Sequence, residues 1–148
     1  MILFLDTSAL VKLYVEEAGG DLVLQAMQSA SLIAVSELTL VEAHSALARL
    51  SRERQIAPPM FAALRRDVNA DFREFYFQVR VSEKLRHSAC RLLAKHPLRS
   101  MDALQLASAL IVKRNRRPQF VFASFDARLN RTASAVGLET LRSIGGVS

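Results

Sequence analysis

Two short apolar runs near opposite ends of the chain constrain its fold most: residues 2–5, Ile-Leu-Phe-Leu, and residues 120–123, Phe-Val-Phe-Ala. An aspartate follows the first at once, as Asp6, and the second within three residues, as Asp126. Continuous apolar runs this short suit strands buried on both faces, which occur in parallel sheets covered by helices. In such sheets, sites form beyond the carboxyl ends of the strands, so polar residues just after these runs are the first to examine.

The rest of the chain alternates in the same way. Ser8 is expected to cap a helix over residues 8–17 that Gly19 and Gly20 stop, and Asp21 to open another. A second strand is expected at residues 32–35, with Ser36 as the cap of a long helix carrying Leu38, Val41, Ala46, Leu47 and Leu50 on its apolar side. Pro58-Pro59 ends that helix and starts one to about Phe72, before an aromatic strand at residues 75–79 whose rings are expected in the core. Ser82 caps a helix to about Lys95, which His96-Pro97 ends. Ser100 begins a helix with Leu104, Leu106, Ala107, Leu110 and Ile111 inward. Residues 120–123 form the fourth strand, residues 127–136 the last helix, with Gly137 at its end, and residues 113–118 a short basic loop. At 148 residues, all of it fits one domain.

Charge narrows the function. The net charge is +6, and from Lys84 onward twelve Lys or Arg face only three acids, Asp102, Asp126 and Glu139, a balance suited to a polyanionic partner. The single cysteine, Cys90, excludes an internal disulfide and a sulfur-rich zinc site, and suits a reducing cytoplasm. The first residues carry no basic segment or cleavage site, and no apolar run approaches the roughly 18 residues of a membrane span.

Four acids stand out. Asp6 and Asp126 follow strands, although capping a helix would also explain either. Glu42 lies one turn from both Leu38 and Ala46 on an otherwise apolar helix face, so it needs a cation, an arginine partner or a raised pKa. Asp102 sits in the first turn of its helix, where the macrodipole alone would favour it. If the four met in one pocket they would repel strongly, and divalent cations would resolve that. Oxygen ligands without cysteine or a histidine pair suit Mg²⁺ or Mn²⁺, and the matching chemistry is phosphodiester hydrolysis by a cation-activated water. His44, His87 and His96 have no ligand spacing and stay outside the site. Thr7, Ser8 and Ser124 are caps or partners of the carboxylates, with capping favoured for Ser8.

Three segments resemble the PIN-domain family, and within it the VapC-like toxins of toxin–antitoxin pairs. Leu5-Asp6-Thr7-Ser8-Ala9-Leu10-Val11-Lys12-Leu13-Tyr14 is similar to the family's opening motif, Pro97-Leu98-Arg99-Ser100-Met101-Asp102-Ala103-Leu104-Gln105-Leu106-Ala107 to its third-acid motif, and Ser124-Phe125-Asp126-Ala127-Arg128-Leu129 to its last. Glu42 falls where the family places its second acid. The resemblance implies a three-layer α/β fold with a central, mostly parallel twisted sheet of four to five strands and helices on both faces. It also implies that Asp6, Glu42, Asp102 and Asp126 bind Mg²⁺ or Mn²⁺ for RNA cleavage, that the chain forms homodimers, and that a cognate VapB-type antitoxin neutralises it. Family members often carry histidine where this chain has Gln105, which puts a role for that position in doubt.

The leading reading is therefore an endoribonuclease toxin. A non-catalytic RNA-binding module of the same fold would have lost one or more of the acids, and all four are present. A housekeeping metal-dependent phosphohydrolase using an aspartyl nucleophile would want a second aspartate two residues after Asp6, where Ser8 stands.

Overall fold

The run at residues 2–5 becomes strand β1 (Ile2–Leu5), every residue of it buried, in a computed structural model that describes residues 1–114 and 119–141. After it come α1 (Thr7–Leu10), which passes into a 3-10 turn at Val11–Leu13, then α2 (Gly20–Gln28), β2 (Leu32–Ser36), α3 (Leu38–Arg52) and α4 (Pro58–Glu74). The remainder is β3 (Phe77–Val79), α5 (Glu83–Lys95), α6 (Ser100–Arg114), β4 (Phe120–Ala123), α7 (Ala127–Ala135) and β5 (Glu139–Thr140).

The sheet order is β3-β2-β1-β4-β5, and every pairing among the described residues is parallel. Side chains of a strand point alternately to its two faces, so β1 feeds two cores. Ile2 and Phe4 pack with Leu85, Ala89, Leu106 and Leu129 from α5, α6 and α7. Leu3 and Leu5 pack with Leu10, Val23, Leu47 and Val68 from α1 to α4. Phe4 stacks on Phe122, its registered neighbour in β4, with ring centroids 5.8 Å apart. A three-layer sandwich results. The chain leaves β1 toward β2 and β3, then returns to the other side of β1 as β4, so the strand order reverses between β1 and β4. Ligands of open α/β sheets bind at such a switch point.

Several expectations change. The first helix does not run over residues 8–17: it ends in the 3-10 turn, and its cap is Asp6, not Ser8. Ser36 ends β2 and is fully buried, and although Glu37 stands next to α3 without a side-chain bond to it, Ser36 Oγ accepts the Leu38 N–H at 3.3 Å, so the expected capping stays with the serine. Val41 is 68% exposed, because the apolar side of α3 follows Ala43, Leu47 and Leu50. The expected strand at residues 75–79 forms over its last three residues: α4 continues to Glu74, Phe75 caps it at 67% exposure, and Phe77 on the edge strand is 44% exposed. Only Tyr76 and Val79 reach the core there. The fifth strand of the expected four to five is β5, whose place the sequence did not show because it is two residues long with an exposed Glu139. The last helix ends one residue early, and Gly137 follows it at φ +83°. Lys113 and Arg114 belong to α6, while residues 115–118 of the expected loop lie outside the described residues. Among the described residues no helix is long and apolar enough to cross a membrane.

Candidate active site

The floor of the site is the junction of β1 and β4. Asp6 continues the ladder beyond β1, its N–H donating to Ala123 O at 2.9 Å, and is 6% exposed. Two serines serve it in the same way. Ser8 Oγ accepts the N–H of Phe125 (2.8 Å), and Ser124 Oγ accepts the N–H of Asp126 (3.1 Å). With a lone pair on each hydroxyl so engaged, each O–H turns to Asp6 Oδ2, at 2.7 and 3.1 Å. The Ser8 N–H adds a third bond at 3.2 Å. All three land on Oδ2, and among the described residues none on Oδ1. Ser8 therefore serves the carboxylate, not the helix end.

Asp126 caps α7 through Oδ1, which accepts from the N–H groups of Arg128 (2.8 Å) and Leu129 (2.9 Å). Its other oxygen takes no hydrogen bond among the described residues. For both aspartates, capping and facing the site are compatible, since each task uses a different part of the carboxylate.

The wall comes from α3 and α6. Glu42 Oε2 accepts from Thr7 Oγ1 at 2.8 Å and from Gln105 Nε2. Gln105 is 1% exposed, and its amide also reaches Thr39 Oγ1 (2.9 Å) and Thr7 Oγ1 (3.2 Å). A buried amide must find partners, and here it spends them on orienting Glu42. Gln105, whose role the sequence left in doubt, thus donates to the Glu42 carboxylate. The arginine partner considered for Glu42 is absent: among the described residues the ion pair is Lys12 with Glu17, at 3.0 Å. Asp102, in the first turn of α6, completes the set.

All four acids line one open cleft of about 550 Å³. Their charges reach one another. Burial pushes the Asp6 carboxyl above its ordinary range, and Glu42 adds to this, while the bonds from Ser8 and Ser124 pull it back. Burial likewise raises Asp102, with further push from Asp6 and Asp126 and an opposing pull from Arg99. The cleft is not a closed cage: among the described residues no three His, Cys, Asp or Glu side chains stand at ion-holding spacing.

The donor set nonetheless fits a hard divalent cation. It is all oxygen, and no histidine or cysteine lines the cleft. Among the described residues, Asp6, Glu42 and Asp126 each commit one oxygen to the protein and leave the other without a hydrogen bond, as an ordered monodentate ligand requires. His44 is occupied with Asn69 and Arg65 on the outer side of α3 and α4. Beside the acids, Lys12 lies 4.6 Å from the centre of the Phe125 ring while pairing with Glu17. The roles of Gln105, Thr39 and the Lys12–Glu17 pair were missed by sequence reasoning. For Gln105 there was a signal, an amide inside the run Leu104-Gln105-Leu106-Ala107.

Residues 3–135 match the model of the family described as PIN domain. The chain is 32% identical over 139 residues to Ribonuclease VapC45 of Mycobacterium tuberculosis, covering 92% of each. Its fold is similar to that of VapC20 of Mycobacterium tuberculosis, described as a sarcin-ricin loop cleaving toxin, with a TM-score of 0.64, 21% identity and coverage of 92% of this chain and 95% of that one. It is also similar to a chain of a toxin–antitoxin complex from Klebsiella pneumoniae, at a TM-score of 0.58 and 16% identity, covering 86% and 88%.

Proposed function

The chain belongs to the PIN-domain family, and from that premise we propose that it is an endoribonuclease, dependent on Mg²⁺ or Mn²⁺, acting as the toxin of a VapBC-type pair. One observation carries the reading. Carboxylates from the end of β1, from α3, from α6 and from the start of α7 line a single cleft; among the described residues they form no ion pair, and three of them keep one oxygen without a hydrogen bond.

Asp6, Glu42, Asp102 and Asp126 are the residues that would hold the metal, which when bound supplies an activated water at neutral pH and neutralises charge on the phosphate and leaving oxygen. The protein's part is positioning. Ser8 and Ser124 keep Asp6 an acceptor, so a buried carboxyl whose pKa is raised is still held in a single orientation. Thr7 and Gln105 hold Glu42 against the repulsion of Asp6. No side-chain nucleophile is required.

The similarity to ribonucleases and to a chain of a toxin–antitoxin complex supports RNA as substrate and a VapB-type antitoxin as partner. A homodimer is part of the same proposal. The test is to incubate the purified protein with defined RNAs in Mg²⁺, Mn²⁺ or EDTA. Cleavage with either metal, lost in EDTA and in Asp102→Asn, is expected; equal cleavage in EDTA would reject the reading. Growth arrest on expression, relieved by the product of an adjacent small gene, separates a toxin from a housekeeping nuclease. Light scattering of the pure protein tests the dimer.

A further inference from the structure

The cleft lined by the four site acids and Glu17 also holds three guanidinium groups, on Arg49, Arg52 and Arg99. Among the described residues none of these side chains forms an ion pair or a hydrogen bond, although acids line the same cavity. Lys12, the fourth cation there, is different, being tied to Glu17 and seated on Phe125. Apart from that pair, the cleft's opposite charges stay unpaired among the described residues, which suits a ligand that separates them. A phosphodiester does so when its oxygens face cations on one side and guanidinium groups on the other.

Placement on the fold gives the track a direction. Glu42, Arg49 and Arg52 lie on α3 in that order toward its C-terminus, so Arg49 is about 10 Å and Arg52 about 15 Å along the axis from the acid. Arg99 comes from the other wall, just before α6, and its charge is felt by Asp102. A strand lying along α3 would therefore meet Arg99 beside the acids and the other two only further on. The ordinary account of Arg49 and Arg52 is that cations in the last turn of α3 complement its macrodipole. That account covers neither their facing the cleft nor Arg99.

We propose that Arg49 and Arg52 hold the phosphates of single-stranded RNA on one side of the bond to be cut, and that Arg99 holds the phosphate beside the acids. This rests on the ribonuclease reading above. Arg49 and Arg52 are binding residues and act before chemistry, whereas Arg99 acts at the reacting group.

The test is fluorescence anisotropy of a labelled single-stranded RNA of about twelve nucleotides, in EDTA so that no cleavage competes, as a function of salt. Each phosphate contact on a single strand contributes about 0.7 to the slope of log affinity against log salt. Arg49→Ala with Arg52→Ala should lower the slope by about 1.4 and weaken binding at low salt by on the order of a hundredfold. Arg49→Lys with Arg52→Lys should keep the slope, which shows that charge and not helix stability is read. Arg73→Ala, an exposed arginine of α4 outside the cleft, should leave it unchanged. With Mg²⁺ or Mn²⁺ restored, the double variant should raise KM more than it lowers kcat, and Arg99→Ala should lower kcat.

An unchanged slope in the double variant, or an equal loss in Arg73→Ala, overturns the proposal. So does equally tight, equally arginine-dependent binding of a polyglutamate peptide or of a duplex with the same sequence, since either would make this a general anion surface. The two readings fail separately. Arginine-dependent RNA binding without cleavage supports the track and rejects the nuclease, whereas metal-dependent cleavage with an unchanged slope rejects the track alone.

Discussion

The floor and the wall of the cleft hold their carboxylates by different means. On the floor, Asp6 and Asp126 are fixed by backbone N–H groups and by serine hydroxyls that backbone N–H groups themselves orient. On the wall, Glu42 is fixed by two side chains, Thr7 and Gln105, that are 35 and 63 residues away in sequence. Backbone donors come with the strand–turn–helix geometry and survive most substitutions. Side-chain donors exist only if the particular residue is present and packed. The floor should therefore be tolerant of change around its acids and the wall brittle.

The acids themselves are the largest test of that contrast. Asp6→Asn or Asp102→Asn should lower RNA cleavage by on the order of a thousandfold or more while circular dichroism stays unchanged, because each removes a charged ligand and relieves repulsion. Near-normal activity in either would break the picture of one shared cluster. Next comes the comparison of supports. Gln105→Ala should cost about 10–100-fold in activity or in Mn²⁺ affinity, because Glu42 loses its buried donor. Ser124→Ala should cost less, about tenfold or below, since the Ser8 hydroxyl and N–H still serve Asp6. A reversal of that order would show that the wall, not the floor, has redundant support.

The smallest effect is on stability. Burial and the charges of Asp6 and Asp126 raise the Asp102 carboxyl above its unfolded value, so the native state favours its protonated form. Its contribution is thus fully present below the unfolded pKa and is lost as pH rises through the folded one. Asn cannot ionise and escapes that loss. In EDTA at pH 8, Asp102→Asn should raise Tm by about 2–4 °C, with the gain shrinking as the pH approaches 4. A gain that grows toward acid pH would mean that the carboxylate is paired rather than repelled.

The same contrast explains what the sequence made legible. Strands β1 and β4 were readable because four consecutive apolar residues have few alternatives, and an acid at such a strand end points to the site through topology alone. The helices bounded by Pro58-Pro59, Ser82 and Ser100 were readable from local capping chemistry. What escaped depends on distant packing. Asp6 outcompeted Ser8 as a cap because Ser8 is drawn to the β4 end by Phe125 and Ser124. Phe75 and Phe77 have strand-like composition, yet α4 overran the first and the sheet edge left the second open to solvent. Gln105 looked like a departure because the family often carries histidine there, and the partners that engage it, Thr39 and Glu42, lie on another helix where the sequence could not show them.

The claim on which all of this depends is that one cation-binding centre lies between the β1 end and the walls of α3 and α6. Anomalous scattering from a Mn²⁺-soaked crystal addresses it directly. Manganese density within about 2.0–2.4 Å of oxygens from at least two of Asp6, Glu42, Asp102 and Asp126, absent in Asp102→Asn, is the expected result. Density only elsewhere on the surface, or none in the cleft at millimolar Mn²⁺, would contradict it.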